Sequence, residues 1–377
     1  MNPLRITAIV RKEYYHLIRD FRSLYLAFAI PLILIILFGY ALSLDVDHVE
    51  TVVVDHDHSE ASRDFIRKLD ASPYFLVSER LSRLEDAIAR LDGNQAKVAI
   101  IFPPDFMKNL LADREAPMQI LLDGSDPVFG NILRGYVTAF TEQYNQKLLL
   151  KFFNRQNLQP LNAPADGRIR VWFNEDLESR NFIIPGIIAI IIMIVGALLT
   201  SLVIAREYEN GTMETIKSLP IKAGELLLGK AIPYFFIGLT DVLIAILLAQ
   251  LLFGIVMKGS FWLMIAAVSL YLSVALSLGL LISTVTRSQL LANQIAILTT
   301  YLPSLLLSNF VFPVMNMPQV LQWLTYAIPA TYFIDILGGI YLRNSGFAYL
   351  WPSMAVLAFM LMILSAANFI LLKKEGL

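Results

Sequence analysis

Six long apolar runs dominate this chain of 377 residues and predict that most of it folds as helices that cross a membrane. A helix needs about 20 apolar residues to cross the hydrocarbon core of a bilayer. Hydrophobic residues make up 56% of the chain and charged residues 16%, whereas a soluble domain has about 25% charged residues. The runs that predict membrane-spanning helices are Leu24–Leu44, Phe182–Ala205, Leu226–Ile255, Phe261–Ser283, Leu290–Phe310 and Trp351–Leu372.

Basic residues near the ends of these runs predict the orientation. Lysine and arginine concentrate in cytoplasmic loops, so their distribution shows which side each loop occupies. With a cytoplasmic N-terminus, that side collects the basic residues of the N-terminal arm, of segment 206–230, of the turn at Arg287 and of the C-terminus. The other side has only Lys258 and Arg343 in its short connections. We therefore predict a multi-pass protein with both termini cytoplasmic and residues 45–177 extracytoplasmic.

Composition and motifs exclude several functions. The chain has no cysteine, which excludes disulfide frameworks and thiolate metal sites, and its net charge of −1 indicates no nucleic-acid partner. Its four histidines all precede the second run, and no Ser/His/Asp arrangement or His-Glu-x-x-His helix is present. We predict that this chain is not an enzyme and has no catalytic, cofactor-binding or metal-binding residues.

The N-terminal arm, residues 1–23, has apolar residues at helical spacing with basic residues between them. This pattern is typical of an amphipathic helix that lies in the cytoplasmic membrane interface. The alternative is that the arm is only a cytoplasmic extension of the first span, 24–44. The apolar positions are Ile6, Ile9, Val10, Tyr14, Leu17, Ile18 and Phe21.

The long segment between the first two runs, 45–177, alternates strand and helix signals. Its β-branched stretches are bounded by turn residues, and helical stretches lie between them. The pattern predicts an inserted α/β domain large enough to bury its own core. The predicted strands are Val49–Val54, Tyr74–Val77, Val98–Phe102, Met118–Leu122 and Arg168–Phe173, and the predicted helices are 60–71, Leu84–Leu91, Phe106–Leu111 and Val128–Phe153.

Residues 55–59, Asp-His-Asp-His-Ser, contain four possible metal ligands. In a strand the two aspartates would share one face and the two histidines the other, so neither pair completes a site. The favoured interpretation is a strand-to-helix turn with Asx-type hydrogen bonds, in which Ser59 caps the next helix.

The segment between the second and third runs, 206–235, is dense in charge and too short to be a domain. Its order of residues closely resembles the cytoplasmic segment after the second span in ABC-2 type permeases, the membrane subunits of ATP-driven exporters. The resemblance covers essentially the whole chain and rests on Arg206, Glu207, Gly211, Thr212, Glu214, Leu219, Pro220, Gly229 and Lys230, together with Pro185-Gly186 and Thr286–Ser288.

In that family the segment corresponding to 206–221 is the coupling helix, which seats in a groove of the ATP-binding subunit. Gly211 predicts a break in the second span, and Thr212 can cap the helix that follows. Glu207 and Glu214 are then expected to present carboxylates to the cytoplasm. The alternative is an ordinary solvated loop between two spans. The residues assigned to ATPase coupling are Arg206, Glu207, Gly211, Thr212, Glu214 and Pro220.

Residues 224–231 nearly match the phosphate-binding P-loop, Gly-x-x-x-x-Gly-Lys-Ser/Thr. The last position is Ala231, so no hydroxyl is available for Mg²⁺, and the intervening Glu-Leu-Leu-Leu favours a helix over a loop. This string is therefore not expected to bind nucleotide, and the resemblance to ABC-2 permeases implies that a separate ATP-binding subunit binds ATP and Mg²⁺ and hydrolyses the ATP.

Residues 312–341 are too interrupted for a full span and too apolar for a free loop. They predict two short helices, Met317–Leu324 and Ile328–Leu337, which enter the outer leaflet and return. Such re-entry requires that protein or a water-filled cavity covers the backbone. Pro329 and Tyr332 lie in a stretch similar to the family's motif at this place.

Polar residues inside the predicted spans are candidates for a transport path, because they are costly in a bilayer and tend to face a bundle interior. Asp241 is the one acidic residue well inside a run. The alternative for Asp241 is a buried partner of a hydroxyl or backbone group. The other candidates are Asn293, Gln294 and Asn309.

The predicted fold is a membrane α-helical bundle of six transmembrane helices, with re-entrant helices before the last span and an inserted extracytoplasmic α/β domain. The resemblance implies an exporter permease of the bacterial multidrug type in the inner membrane, moving an amphiphilic or drug-like compound outward. It also implies a second permease chain, identical or related, and a periplasmic adaptor is a further candidate partner. The alternatives are an ABC-2 exporter of lipid or glycan, and a non-transporting membrane protein whose external domain binds a ligand or partner.

Overall fold

The chain folds into two compact units, one of Met1–Ser43 with Val171–Leu377 and one of Leu44–Arg170. The computed structural model describes residues 2–19, 21–41, 48–112, 114–125, 127–155 and 180–376. The predicted strand at Arg168–Phe173 and the ends of the predicted segment 45–177 lie outside these ranges.

The regular secondary structure in the described residues of the first unit is entirely helical. A single 3₁₀ turn, Val314–Asn316, interrupts the series before α12. Its helices are α1 (Pro3–Arg19), α2 (Phe21–Ala41), α7 (Arg180–Glu209), α8 (Thr212–Ser218), α9 (Ala223–Phe253), α10 (Phe261–Thr286), α11 (Gln289–Leu306), α12 (Gln319–Thr325), α13 (Pro329–Tyr341) and α14 (Phe347–Lys374).

Four helices of the described chain, α7, α9, α10 and α14, are long and apolar enough to cross a membrane. The pair α12 and α13, bent by 75° at a short break, makes a fifth span if it is counted as one. The apolar stretch of α2 is shorter, Phe28–Tyr40. Polar side chains, including Asn293 and Gln294, lower the hydropathy of α11, which is 18 residues long. The structure thus supports four or five spans, and the six-span count stays a prediction.

Helix α7 forms the centre of the first unit. Its apolar residues are almost all buried, and it packs against α2, α9, α10, α11 and α13. Small residues allow the closest approach, because an added Cβ on Gly279 of α10 would collide with Thr200 and the Ala197 carbonyl of α7. The Thr200 hydroxyl donates a hydrogen bond to the Leu276 carbonyl at 2.9 Å. The core of this unit is therefore one helix enclosed by its neighbours.

The second unit contains a four-stranded sheet of order β2-β1-β3-β4. Strands β1, β2 and β3 are parallel, and β4 runs antiparallel to β3. The aromatic side chains of Phe65, Phe75 and Phe102 form a core with α6 on one face, and Ala87 of α4 packs on the other. The elements are β1 (Val49–Asp55), α3 (Glu60–Asp70), β2 (Phe75–Leu81), α4 (Leu84–Asp92), β3 (Val98–Phe102), α5 (Phe106–Leu111), β4 (Gln119–Leu122) and α6 (Pro127–Arg155).

The turn at residues 55–59 has the hydrogen bonds of a capped strand-to-helix turn. Asp55 Oδ1 accepts from the backbone N–H groups of Asp57 and His58, at 3.1 and 3.0 Å. Ser59 is the N-cap of α3, and its side chain accepts from the Ser62 N–H at 3.2 Å. These side chains are thus engaged in local structure, and no metal-ligating cluster occurs among the described residues.

Candidate functional site

Helix α8 is a short, exposed helix placed between the candidate spans α7 and α9. Helix α7 ends at Glu209, and Gly211 follows in the left-handed region with φ +70°. That conformation suits glycine because it has no Cβ. Helix α8 runs Thr212–Ser218 and ends at Leu219, so the predicted segment 206–221 contains the end of one helix and all of the next.

A buried ion cluster lies beneath α8. Lys230 of α9 places its ammonium 2.8 Å from Glu13 Oε1 and 2.9 Å from Glu207 Oε1. Lys12 pairs with the same Glu207 oxygen at 2.6 Å. The side chains of Lys230, Glu13 and Glu207 are 2%, 6% and 9% exposed. Two lysines thus balance two carboxylates, which meets the condition for charges to persist in a protein interior.

The hydroxyl of Thr212 joins α8 to this cluster. It donates to Glu207 Oε2 and, at 3.3 Å, to the Glu207 backbone carbonyl.

Two predictions about this region were therefore wrong. Glu207 does not present its carboxylate to the surrounding solvent, because the lysines hold it inside. Thr212 does not cap α8, because Gly211 occupies the N-cap position and the threonine hydroxyl serves Glu207.

Helix α1 packs along α9 and completes the site. Gly229 brings the two backbones close, because an added Cβ there would lie 2.7 Å from Ile9 Cβ. Near the start of both helices, the Glu225 carboxylate accepts from the Asn2 N–H at 2.7 Å and pairs with Arg5 at 3.7 Å. The N-terminal arm is thus a structural part of the site, bound to α9 over most of its length.

A cavity of about 520 Å³ opens between α1 and α8. Its walls are mostly apolar and include Ile9, Ile216 and Leu226, while Arg5 and Lys12 lie at its edge. The neighbouring Leu219 is 48% exposed. This side of the molecule therefore offers an apolar groove beside an exposed helix.

The remaining residues predicted for coupling have separate places around α8. Glu214 is exposed and faces Lys217 across one helical turn at 3.4 Å. Pro220 is exposed and lines the apolar groove. Arg206 reaches away from the ion cluster, with its guanidinium 3.4 Å from Gln289 Oε1 and from His16 Nδ1.

A second polar link joins α7 to the start of α11. Glu209 accepts from the Gln289 backbone N–H at 2.8 Å and from its side-chain amide at 2.6 Å. Arg287, in the turn before α11, pairs with Glu375 at 2.6 Å and lies 5.1 Å from the centre of the Tyr208 ring. The end of α7 is thus fixed to α1 and α9 on one side and to α11 on the other.

The four polar residues predicted for a transport path are not joined to one another by hydrogen bonds within the described chain. Asp241 is buried in α9, 3% exposed, and has no ion-pair or hydrogen-bond partner among the described residues. Asn293 is half-buried and Gln294 exposed on α11. Asn309 lies in the turn after α11, where its side chain accepts from the Val314 N–H at 3.0 Å.

The segment predicted to be re-entrant consists of the two short helices expected there. Pro329 occupies the first turn of α13, where its missing N–H is not needed. The Tyr332 hydroxyl donates to the Tyr326 carbonyl at 3.0 Å and so links α13 back to the break. Tyr271 of α10 stacks on Phe333 at 4.1 Å between ring centres. Helix α13 is therefore packed firmly into the bundle.

Sequence reasoning missed Glu13, Lys12 and Glu225 as members of the site. One signal was available, because Glu13 falls between Ile9 and Leu17 at spacings of four and is an acid in an apolar stripe of a basic arm. The residues resembling a P-loop, 224–231, lie entirely within α9. A continuous helix cannot turn several backbone N–H groups toward one phosphate, so this string has a structural role.

Comparisons with known proteins point to one family. The model of the "ABC-2 family transporter protein" family matches residues 21–370. The chain is 36% identical, over 98% of its length and 96% of that protein, to the probable multidrug ABC transporter permease YbhS of Escherichia coli K12. It is 29% identical to the probable multidrug ABC transporter permease YbhR of the same organism, over 93% of each. The inner membrane transport permease YhhJ of that strain is 28% identical over 81% of this chain and 80% of its own.

Proposed function

Because this chain belongs to the ABC-2 family of transporter membrane proteins, we propose that it is the permease subunit of an ATP-driven exporter. The cargo is an amphiphilic or drug-like compound that leaves the cytoplasm or the inner leaflet. The names of two relatives, probable multidrug ABC transporter permeases, support this cargo class.

The observation that carries the proposal is the connection of exposed α8 to three other helices through the buried ion cluster. A force on α8 acts through Thr212 on Glu207, and through Lys230 and Glu13 on α9 and α1. Separating the partners of a buried ion pair leaves an uncompensated charge in the interior, so the helices that the pair joins resist being pulled apart. Helix α8 is thus suited to convert movement of a bound subunit into rigid-body movement of the spans.

The subunit that pushes on α8 is, in this proposal, a separate ATP-binding subunit, which also binds ATP and Mg²⁺. The exposed surface of α8, with Glu214 and Leu219, and the apolar groove beside α1 provide its docking surface. An apolar groove with charged residues at its edge is typical of a protein interface.

The proposed location is the bacterial inner membrane, with both termini cytoplasmic and residues 45–177 extracytoplasmic. A second permease chain, identical or related, would complete the membrane part. A periplasmic adaptor is a candidate partner of the second unit. The excess of basic residues on the side of α8 supports this orientation.

Asp241, Asn293 and Gln294 are the proposed path residues. Asp241 supports this best, because it is a buried acid in a candidate span and has no hydrogen-bond or ion-pair partner among the residues that the structure describes. Asn309 is a weaker candidate, because its side chain already closes the turn before the 3₁₀ helix. In the proposed topology, α12 and α13 enter the outer leaflet and return.

Co-purification with the ATP-binding subunit tests the docking surface. Glu214→Arg reverses a charge whose side chain is 79% exposed, so the fold should be preserved while capture of the ATPase is lost. Gly211→Pro should have the same effect by another route, because proline cannot adopt the φ of +70° found there.

A matched control is Glu115→Arg, which makes the same charge change at an exposed site of the second unit. It should retain full capture. Equal capture by the wild type and Glu214→Arg would remove α8 as the docking helix. Absence of nucleotide-dependent transport by the reconstituted complex would overturn the exporter function itself.

A further inference from the structure

The second unit contains a cavity of its own, with a volume of about 670 Å³. One wall is the turn between α3 and β2, residues 71–74, and the other is one face of α6. The α6 residues Tyr136, Phe140, Tyr144 and Lys147 recur at spacings of three and four, so they share that face. The volume lies within the range of small-molecule sites, about 300–1,000 Å³.

Four aromatic residues, Tyr74, Tyr136, Phe140 and Tyr144, line the cavity. Tyr74 and Tyr136 lie 4.5 Å apart between ring centres, and Tyr74 is 41% exposed to the opening. Deeper in the unit, Phe140 and Tyr144 pack against Phe65 at 5.1 and 4.9 Å. Because these inner rings are fixed by the core, the wall is preformed and loses little entropy when a ring stacks on it.

The charged residues of the lining are both cations. Lys68 is paired with Asp64 and lies 5.1 Å from the centre of the Tyr144 ring. Lys147 is exposed and has no ion-pair partner among the described residues. The lining formed by the described residues contains no acid. Burial, aided by Asp64, raises the pKa of Tyr144 to about 12, so its hydroxyl stays neutral and donates to the Ala61 carbonyl at 3.2 Å.

We infer that this cavity binds amphiphilic aromatic anions, with the flat ring of the ligand against Tyr74 and Tyr136 and its acidic group at Lys147. Aromatic stacking supplies apolar contact and orientation. The ammonium of Lys147 selects the sign of the charge, because no acid among the described lining residues compensates it. This inference stands independently of transport, since it concerns only the second unit.

Equilibrium dialysis of the full chain in phosphatidylcholine nanodiscs tests the site, with empty nanodiscs subtracted. The probes share one ring system and differ in charge: naphthalene-2-sulfonate, naphthalene-2-sulfonamide and 2-naphthyltrimethylammonium. The sulfonate should bind more tightly than the sulfonamide, and the trimethylammonium most weakly. Lys147→Glu should weaken sulfonate binding about tenfold, because it replaces an attraction by a repulsion at a solvent-exposed site, while sulfonamide binding stays unchanged.

Two further variants separate ring binding from charge. Gln143→Trp places a bulky ring in the cavity from an exposed lining position, so it should abolish binding of all three probes. Tyr74→Ala should weaken sulfonate and sulfonamide alike, by about tenfold, the factor that corresponds to loss of one stacked ring. Lys108→Glu, at a side chain 80% exposed outside the cavity, is the matched control and should leave every affinity unchanged.

Three results would overturn the inference. They are equal affinities of the three probes for the wild-type protein, sulfonate binding unaffected by Lys147→Glu and Gln143→Trp, and no binding above that of empty nanodiscs. Transport measured on the same variants keeps the two proposals distinct, because loss of probe binding with normal export supports the site and leaves the exporter function intact.

Discussion

Lys230 Nζ lies 2.9 Å from Glu207 Oε1, and this ion pair joins α9 to α7 directly beneath the exposed helix α8. Lys230 also contacts Glu13, so one buried ammonium holds three helices together. Its desolvation is costly, and the two carboxylates compensate for it only while both are in place. The link between α7, α9 and α1 beneath α8 therefore runs through the Lys230 side chain.

Replacing that ammonium should strongly destabilise the protein. Lys230→Met leaves Glu13 and Glu207 buried close together, with Lys12 as the remaining cation. We expect unfolding to become easier by about 3–5 kcal/mol, the cost of breaking a buried pair by removing one partner. The free energy of unfolding in mixed detergent micelles measures this directly.

Two variants control that prediction. Lys217→Met removes a half-buried lysine from its pair with the exposed Glu214 and should cost about 0–1 kcal/mol. Adding Glu13→Gln to Lys230→Met should recover part of the loss, because one uncompensated charge is removed. If Lys230→Met and Lys217→Met have equal stability, the buried cluster does not stabilise the fold.

Helix boundaries could be predicted from the sequence far better than the partners of the charged residues. The strand Val98–Phe102 and helix Phe106–Leu111 were predicted with the bounds that the structure shows, because apolar runs bounded by proline and by Asp105 are local signals. The inward direction of Glu207 could not be predicted, because it depends on Lys12 and Lys230, one of them far away in the chain.

The sequence predicted the site best at positions where the backbone conformation alone determines which residue fits. Gly211 was expected to break the helix, and it does so in a conformation that favours glycine. The role of Thr212 was wrong because a hydroxyl near a helix start can serve either the backbone or a neighbouring carboxylate, and the buried Glu207 is the stronger acceptor. Sequence patterns do not settle such a choice.

Gly229 should tolerate no side chain while Ile9 is in place. An alanine Cβ would lie 2.7 Å from Ile9 Cβ, so Gly229→Ala must push α1 away from α9. We expect a loss of about 1–3 kcal/mol, typical of overpacking. Adding Ile9→Gly removes the collision and should restore the contact between the helices. The double variant should still be less stable than the wild type, because glycine is unfavourable inside α1.

The measurement is protease accessibility of α1 together with the free energy of unfolding. Gly338→Ala in α13 is the matched control, because no atom lies within 4 Å of the added Cβ. It should be neutral or stabilising by up to about 1 kcal/mol, the preference for alanine over glycine in a helix. Equal effects of the two substitutions would contradict the close packing of α1.

Gly279→Ala should disturb the centre of the bundle. Its Cβ would collide with the Thr200 hydroxyl and with the backbone carbonyl of Ala197, which cannot rotate away. Helices α7 and α10 must then separate, and the hydrogen bond from Thr200 to the Leu276 carbonyl is lost. We expect a loss of about 3 kcal/mol or a misfolded product, the upper end of overpacking costs. The measurement is the yield of folded protein in size-exclusion chromatography, compared with the yield of the control Gly338→Ala.

Asp241→Asn should reduce export of lipophilic cations and leave the fold intact. The acid is 3% exposed and has no hydrogen-bond or ion-pair partner among the described residues, so the isosteric amide removes the ability to carry a negative charge and breaks no described contact. A carboxylate inside a candidate span is costly, and a bound cation would offset that cost. We expect the initial rate of cation export in proteoliposomes to fall about tenfold, equivalent to about 1.4 kcal/mol. The rate for a neutral compound of the same size should fall less.

Asp335→Asn is the matched control, since Asp335 is exposed and bound to the Ser353 hydroxyl at 2.8 Å. If Asp241→Asn and Asp335→Asn both transport cations at the wild-type rate, Asp241 is only a packing residue of α9.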